Sequence, residues 1–84
     1  MKSPALTLKQ FMLRQEVLKL YRDVFRTIRR VPQESDRAEL KEWARRDFHA
    51  NRHHTDDTTI KMMLHYGRRS LTELQNSLDL SGNR

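Results

Sequence analysis

Tyr21 and Arg22 are adjacent residues whose side chains suit the recognition of a partner molecule. In the amphipathic pattern of this segment, Tyr21 falls on the apolar side and Arg22 at the edge of the basic side. One helical turn therefore offers an aromatic wall beside a charge-assisted hydrogen-bond donor. The alternative interpretation is that Tyr21 is an ordinary core aromatic and that Arg22 belongs to a solvated helix face.

A group of histidines raises the possibility of a metal site. His49 and His53 are four residues apart, as on one face of a helix, and His54, Asp56 and Asp57 follow closely. Imidazole and carboxylate groups are ligands for zinc or copper. However, the pattern fixes no third ligand, and His53 falls at the predicted helix end. We therefore expect no metal site.

The sequence contains no recognisable catalytic motif. No nucleophile, base and orienting group occur together, and the two glycines, Gly67 and Gly82, are too far apart to form a phosphate-binding loop. The absence of cysteine excludes a disulfide scaffold, a thiolate zinc site and a cysteine nucleophile. A chain of 84 residues builds a core one side-chain layer thick, which leaves no room for an ordinary enzyme cleft. We expect a protein that is not an enzyme and has no cofactor of its own.

The residues that could bind a partner must be positioned by a long first helix. Thr7 and Gln10 match a capping box, which starts the helix near Leu8. Pro32 cannot continue it, so we predict a helix over 8–31. Its apolar side carries Val17, Leu20, Tyr21, Val24, Phe25, Ile28 and Val31. Its basic side carries Lys19, Arg22, Arg26, Arg29 and Arg30.

Two further helices are predicted over 37–52 and 57–78. Asp36 with Glu39 suggests the N-cap of the second helix, and Thr55, Asp56 or Asp57 can cap the third. The second helix has the apolar set Leu40, Trp43, Ala44 and Phe48. The third has Ile60, Met63, Leu64, Gly67, Leu71, Leu74 and Leu78. Because short connections join antiparallel neighbours, we predict an all-α, antiparallel three-helix bundle forming one domain over 1–84.

The charge balance indicates an acidic or polyanionic partner. Seventeen Lys and Arg residues against eleven Asp and Glu residues give a formal net charge of +6. Nucleic acid binding is an alternative function, although acidic residues interrupt the basic ones and no helix resembles a base-reading helix. Peripheral membrane binding suits the first helix but leaves the apolar sides of the other two unexplained. No apolar stretch is long enough to predict a transmembrane helix.

The triplet Leu20-Tyr21-Arg22, followed by Phe48 in the second helix, resembles the motif of the LYR-motif family of small mitochondrial proteins. The resemblance covers nearly the whole chain and includes Arg45-Arg46-Asp47-Phe48 and Tyr66-Gly67-Arg68-Arg69. It implies a three-helix protein of the mitochondrial matrix or the matrix face of the inner membrane. It also implies an adaptor that binds acylated mitochondrial acyl carrier protein, with its acyl-phosphopantetheine, and supports a respiratory complex, for which we expect complex I.

The resemblance also suggests which residues form the site. The carrier contact is expected at Leu20, Tyr21 and Arg22, to which position along the helices adds Arg26, Arg45 and Arg46. The acyl chain is expected in an apolar slot formed by Tyr21, Phe25, Phe48, Leu64, Gly67 and Leu71. A glycine costs about 1 kcal/mol relative to alanine inside a helix, so Gly67 needs a compensating role. That role is either close approach of two helices or room for the acyl chain.

Overall fold

Three helices form the protein in the computed structural model, which describes residues 7–54 and 56–81. They are α1 (Leu8–Ile28), α2 (Glu34–Asn51) and α3 (Asp57–Leu80). The prediction of an all-α three-helix bundle is therefore confirmed. None of these described helices combines the length and the apolar character needed to cross a membrane.

The capping box predicted for the start of α1 is present. Thr7 Oγ1 accepts a hydrogen bond from the Gln10 backbone N–H at 3.1 Å, and Gln10 Oε1 accepts one from the Thr7 N–H at 3.2 Å. These reciprocal bonds satisfy two backbone donors that the first turn leaves without partners. The helix begins at Leu8, as the sequence predicts.

The C-terminus of α1 lies three residues before the predicted one. The amides of Arg30 and Val31 donate to the carbonyls of Thr27 and Ile28, both at 3.0 Å, three residues back rather than four. The chain thus leaves the α-helix in tight turns before Pro32 stops it. Val31 is nevertheless buried, which is why the apolar period extends beyond the helix.

The prediction that Asp36 caps α2 is wrong. The helix begins at Glu34, with Gln33 in extended conformation at the N-cap and no side-chain capping bond. Asp36 lies inside the first turn, where its charge favours the positive end of the helix dipole. The Arg37 guanidinium donates to the carbonyl of Val31 at 2.7 Å and ties this turn to the preceding connection. No capping pattern in the sequence indicates this bond.

Of the three candidate caps for α3, Asp56 is the one used. Its Oδ2 accepts hydrogen bonds from the Thr59 N–H at 2.9 Å and the Thr59 hydroxyl at 2.8 Å. These bonds lower the pKa of Asp56. Thr55 lies outside the described residues. The helix runs to Leu80, two residues further than predicted, and the Ser81 hydroxyl bonds to the Leu78 carbonyl at its end.

Helix α1 occupies the middle of the molecule and packs against both of the others. Its core with α3 is built from Leu13, Leu20, Ile60 and Leu64. Within the described residues, α2 and α3 pack against α1 but not against each other. This arrangement leaves a groove along α1, and the molecule measures 53 × 20 × 15 Å along its principal axes.

The apolar side predicted for α2 is mostly not buried. Ala44 is fully buried, whereas Trp43 is 50% exposed and Leu40 and Phe48 are half-buried. Because α2 has only α1 as a packing neighbour, a single narrow stripe of the helix is covered. Trp43, which the sequence places in the apolar set of the second helix, stands at the edge of the open groove.

Candidate functional site

Tyr21 joins α1 to α2 through both its ring and its hydroxyl. The residue is only 8% exposed, and its hydroxyl donates a hydrogen bond of 2.5 Å to Asp47 Oδ2. The Phe48 ring meets the Tyr21 ring edge-on, with centroids 5.0 Å apart and an interplanar angle of 76°. Edge-to-face contact is a favoured geometry for aromatic pairs. Tyr21 is thus a fixed wall of any site between these helices.

Asp47 and Asn51 complete a polar cluster around the Tyr21 hydroxyl. The Asn51 amide donates to the Asp47 carbonyl at 2.8 Å and to Asp47 Oδ1 at 3.3 Å. Burial raises the pKa of Tyr21 well above its ordinary value, and the hydrogen bond and charge of Asp47 raise it further. Sequence reasoning missed both residues. The available signals were their four-residue spacing and the position of Asp47 directly before Phe48.

An apolar pocket with cationic residues at its rim lies between α1 and α2. It has a volume of about 240 Å³, and we call it the α1–α2 pocket. It is lined by Leu18, Tyr21, Arg22, Phe25, Arg45, Phe48 and His49. Arg22 is exposed and forms no salt bridge with any described residue, while Arg45 lies 3.9 Å from Glu42. Arg22 is therefore available to an anionic partner.

A second cavity, of about 360 Å³, continues along the same side of α1 toward the end of α2. It shares two wall residues, Leu18 and Phe48, with the α1–α2 pocket. Its other lining residues are Arg14, Val17, Asn51, Arg52, His53, His54, Ile60 and Met63. The two cavities together form a longer apolar track, which sequence reasoning did not predict because Leu18 was assigned to neither helix side.

The structure brings five of the predicted site residues together around the α1–α2 pocket: Tyr21, Arg22, Phe25, Arg45 and Phe48.

The other predicted residues lie elsewhere. Leu20 and Leu64 are buried in the α1–α3 core. Gly67 and Leu71 line the groove between α2 and α3, together with Tyr21.

The last two predicted carrier contacts do not line the α1–α2 pocket. Arg26 pairs with Asp23 at 3.7 Å on the exposed side of α1. Arg46 is exposed on α2 and lines neither the α1–α2 pocket nor its neighbouring cavity.

Of the two roles proposed for Gly67, the structure supports close helix approach. A Cβ atom at this position would lie 2.5 Å from Leu20 Cδ2, closer than two carbon atoms can pack. The glycine therefore allows α3 to approach the Leu20 side chain on α1.

The three histidines at the end of α2, His49, His53 and His54, contact Arg52 or Asn51. Arg52 Nε donates to His53 Nε2 at 3.1 Å, and Arg52 Nη1 lies 2.9 Å from His49 Nδ1. His54 Nε2 lies 3.1 Å from Asn51 Oδ1. Across residues 7–54 and 56–81, no three His, Asp or Glu side chains converge in a group able to hold a metal ion.

Comparison of the sequence with known proteins identifies its family. Residues 15–73 match the family model described as Complex 1 protein (LYR family). The chain is 55% identical over 78 residues to LYR motif-containing protein 2 of Danio rerio, covering 93% of this chain and 89% of that protein.

Mammalian relatives give the same result. The chain is 52% identical to LYR motif-containing protein 2 of Mus musculus, over 92% of this chain and 88% of that protein. It is 51% identical to LYR motif-containing protein 2 of Homo sapiens, over 90% of this chain and 86% of that protein. No solved structure matches the chain significantly. On the family match and these relatives, the chain belongs to the LYR family of Complex 1 proteins.

Proposed function

We propose that this protein is a non-enzymatic mitochondrial adaptor that binds acylated acyl carrier protein and supports assembly or activity of a respiratory complex. The observation that carries the proposal is Arg22, which belongs to the triplet that gives the family its name. This arginine lies without a salt-bridge partner among the described residues, at the rim of an apolar pocket. Such a pairing of free cation and apolar cavity suits an acidic protein that carries an apolar group.

Electrostatic attraction would select the carrier. Acyl carrier proteins are acidic helical proteins, and this chain has a net charge of +6. An unpaired exposed arginine can form charge-assisted hydrogen bonds to a carboxylate or phosphate without first losing an intramolecular partner. Arg22 would thus contact the carrier surface or the phosphate of its phosphopantetheine arm. Arg45, on the facing helix and 3.9 Å from Glu42, would add positive charge beside it.

The acyl group would supply apolar contact. The α1–α2 pocket and its neighbour have volumes of about 240 Å³ and 360 Å³ and share Leu18 and Phe48 as walls. Each buried methylene contributes about 0.8 kcal/mol, so a chain of several carbons adds substantially to affinity. In this proposal the acyl chain follows the outer track past Phe25, Phe48 and Leu18.

The client is proposed to be respiratory complex I, at the matrix or the matrix face of the inner membrane. The support for this choice is the description of the family that the chain belongs to, Complex 1 protein (LYR family). The geometry of the site itself is compatible with any client that recognises the loaded adaptor.

The test is co-purification with acyl carrier protein after co-expression, with the bound species identified by intact mass. Wild-type protein is expected to retain carrier whose mass corresponds to an acyl-phosphopantetheine form. Arg22→Glu is expected to lose the carrier while keeping its helical circular dichroism, because Arg22 is exposed.

Lys61→Glu is the matched control for this experiment. It makes the same change of charge at an exposed position on α3 that lines none of the described cavities. Carrier binding should survive it. Equal retention of carrier by both variants would remove Arg22 from the interface, and retention on DNA in place of carrier would favour a nucleic-acid-binding function.

A further inference from the structure

The groove between α2 and α3 is a second candidate interaction surface, on a different side of α1 from the α1–α2 pocket. We call it the α2–α3 groove. It is lined by Leu20, Tyr21, Val24, Trp43, Asp47, Gly67, Ser70, Leu71 and Leu74. The two sites share only Tyr21. It remains open because α2 and α3 do not pack against each other.

The size of the groove indicates what kind of ligand it fits. Its volume is about 50 Å³, whereas small-molecule sites typically enclose about 300–1,000 Å³. A shallow apolar depression between two helices instead accepts side chains that project from another helix, in the manner of knobs into holes. A helix laid along the groove would contact α2 and α3 together and complete a four-helix arrangement around α1.

Trp43 marks this groove as a binding surface. The indole is 50% exposed at the edge of a lining that is otherwise largely apolar. Tryptophan is strongly enriched among the residues that dominate the energy of protein interfaces. Its burial in a complex would remove one of the largest apolar side chains of the protein from water.

The charge of the groove is opposite to that of the α1–α2 pocket. Asp47 is the charged residue among its lining, and its carboxylate pairs with no described cation. Asp36 and Glu39 precede Trp43 by seven and four residues and so lie on the same side of α2, where Arg46 is the neighbouring cation. Carboxylates are in excess on this side. A Lys or Arg of a partner can meet Asp47 and lie over the Trp43 ring.

From this combination we propose that the α2–α3 groove docks an amphipathic helix of a second protein, with an apolar ridge and flanking Lys or Arg residues. A partner of this charge differs from the acidic carrier, so the adaptor holds two partners of opposite charge on two sides of α1. A second copy of this chain is a poorer occupant. Its own basic, apolar surface would make a heterologous contact, which leads to a ring or an open filament rather than a closed pair.

Trp43 provides the experimental readout because it is the only tryptophan in the chain. The full chain is titrated with a synthetic helical peptide that has a leucine ridge flanked by lysines. A second peptide replaces each lysine by glutamate. The lysine peptide should shift the Trp43 emission to shorter wavelength with saturation, and the glutamate peptide should bind at least about tenfold more weakly.

Two variants locate the peptide. Ser70→Arg places a bulky cation in the groove at an exposed position, and it should weaken binding of the lysine peptide at least about tenfold. Asn76→Arg adds the same side chain at an exposed position of α3 outside the described cavities and should bind as wild type. No emission shift, equal binding of the two peptides, or unchanged binding to Ser70→Arg would overturn the proposal.

Two further measurements separate this proposal from neighbouring ones. Arg22→Glu should still bind the lysine peptide, so loss of carrier and loss of peptide are independent results. Sedimentation of the protein alone tests self-association. A concentration-dependent oligomer that shifts the Trp43 emission without peptide would assign the groove to a second copy and overturn the proposal.

Discussion

Tyr21 has a structural role and also lines both candidate binding surfaces. Its hydroxyl fixes α2 through Asp47, and its ring forms a wall of both the α1–α2 pocket and the α2–α3 groove. The two interpretations drawn from the sequence, core aromatic and binding residue, are therefore compatible. The position of the ring could be predicted from helical spacing. Its hydrogen-bond partner could not, because Asp47 is 26 residues away in the chain.

The first prediction concerns the Tyr21 hydroxyl. Tyr21→Phe should lower the free energy of unfolding by about 1–2 kcal/mol, because the Asp47 carboxylate loses a hydrogen-bond donor. Urea unfolding measures the change. Tyr66→Phe is the control, since Tyr66 is 59% exposed and its hydroxyl has no described partner. Equal stability of the two variants would show that the Tyr21–Asp47 bond contributes nothing.

The second prediction concerns alkaline pH. Burial and Asp47 raise the pKa of Tyr21 above its reference value of 10.0, so the folded state keeps a proton that the unfolded state releases. The contribution of protonated Tyr21 to the free energy of unfolding is therefore fully present below about pH 10 and is lost as the pH rises further. The Tyr66→Phe protein has Tyr21 as its only tyrosine. Its ultraviolet titration should show tyrosinate only well above pH 10 or on unfolding, and ionisation near 10 in folded protein would contradict this.

Among the helices, α1 is the element on which the other two depend. It packs against α3 through an apolar core and against α2 through Ala44 and the Tyr21 contacts. At Gly67, α3 lies close to α1, and Leu20 occupies the space that a Cβ atom would need. Leu20, the first residue of the triplet, thus positions Tyr21 and Arg22 by packing.

The third prediction is a coupling between Leu20 and Gly67. Leu20→Ala alone should cost about 2–5 kcal/mol, because Leu20 is buried. Gly67→Ala gains up to about 1 kcal/mol of helix propensity but must displace Leu20 in the wild-type core. In the Leu20→Ala background that clash is absent, so Gly67→Ala should raise the free energy of unfolding more, or lower it less, than it does in the wild-type protein. Thermal or urea unfolding of the four proteins measures the coupling, and strictly additive effects would contradict the contact.

Helix existence was predictable because the apolar period and the caps are local signals. The capping box of Thr7 and the cap at Asp56 are both visible as short sequence patterns. The start of α2 was not predictable from caps, because its N-cap Gln33 forms no side-chain capping bond. The exposure of Trp43 was also not predictable, since the spacing of apolar residues along α2 cannot show that this helix packs against α1 alone.

At the scale of the whole molecule, charge is divided between two sides of α1. Arginines line the α1–α2 pocket, whereas the charged residue lining the α2–α3 groove is Asp47. The net charge of +6 was readable from composition. Five residues that the sequence assigned to a carrier contact or an acyl slot, Tyr21, Arg22, Phe25, Arg45 and Phe48, line one pocket in the structure. The division of charged residues between the two sides could not be read from composition, because it depends on how α2 packs against α1.

The fourth prediction concerns ionic strength. If the basic surface steers an acidic carrier, the association rate should fall steeply as salt rises from about 0.01 M to about 1 M, where screening shortens from about 30 Å to about 3 Å. The dissociation rate should change much less, because short-range apolar contacts dominate it. Stopped-flow or surface-based kinetics separates the two rates. An association rate independent of salt would contradict steering by the net positive charge.

The most direct test of the proposed carrier site is a calorimetric titration of wild-type protein with acylated and with unacylated acyl carrier protein, repeated with Leu18→Glu. Leu18 is 38% exposed and lines both cavities of the proposed acyl track, so the substitution places a charge in the track without opening the core. Wild-type protein should bind the acylated carrier more tightly, and Leu18→Glu should abolish that advantage while still binding the unacylated form. An acyl advantage that is absent from wild type, or unchanged in Leu18→Glu, would contradict the assignment.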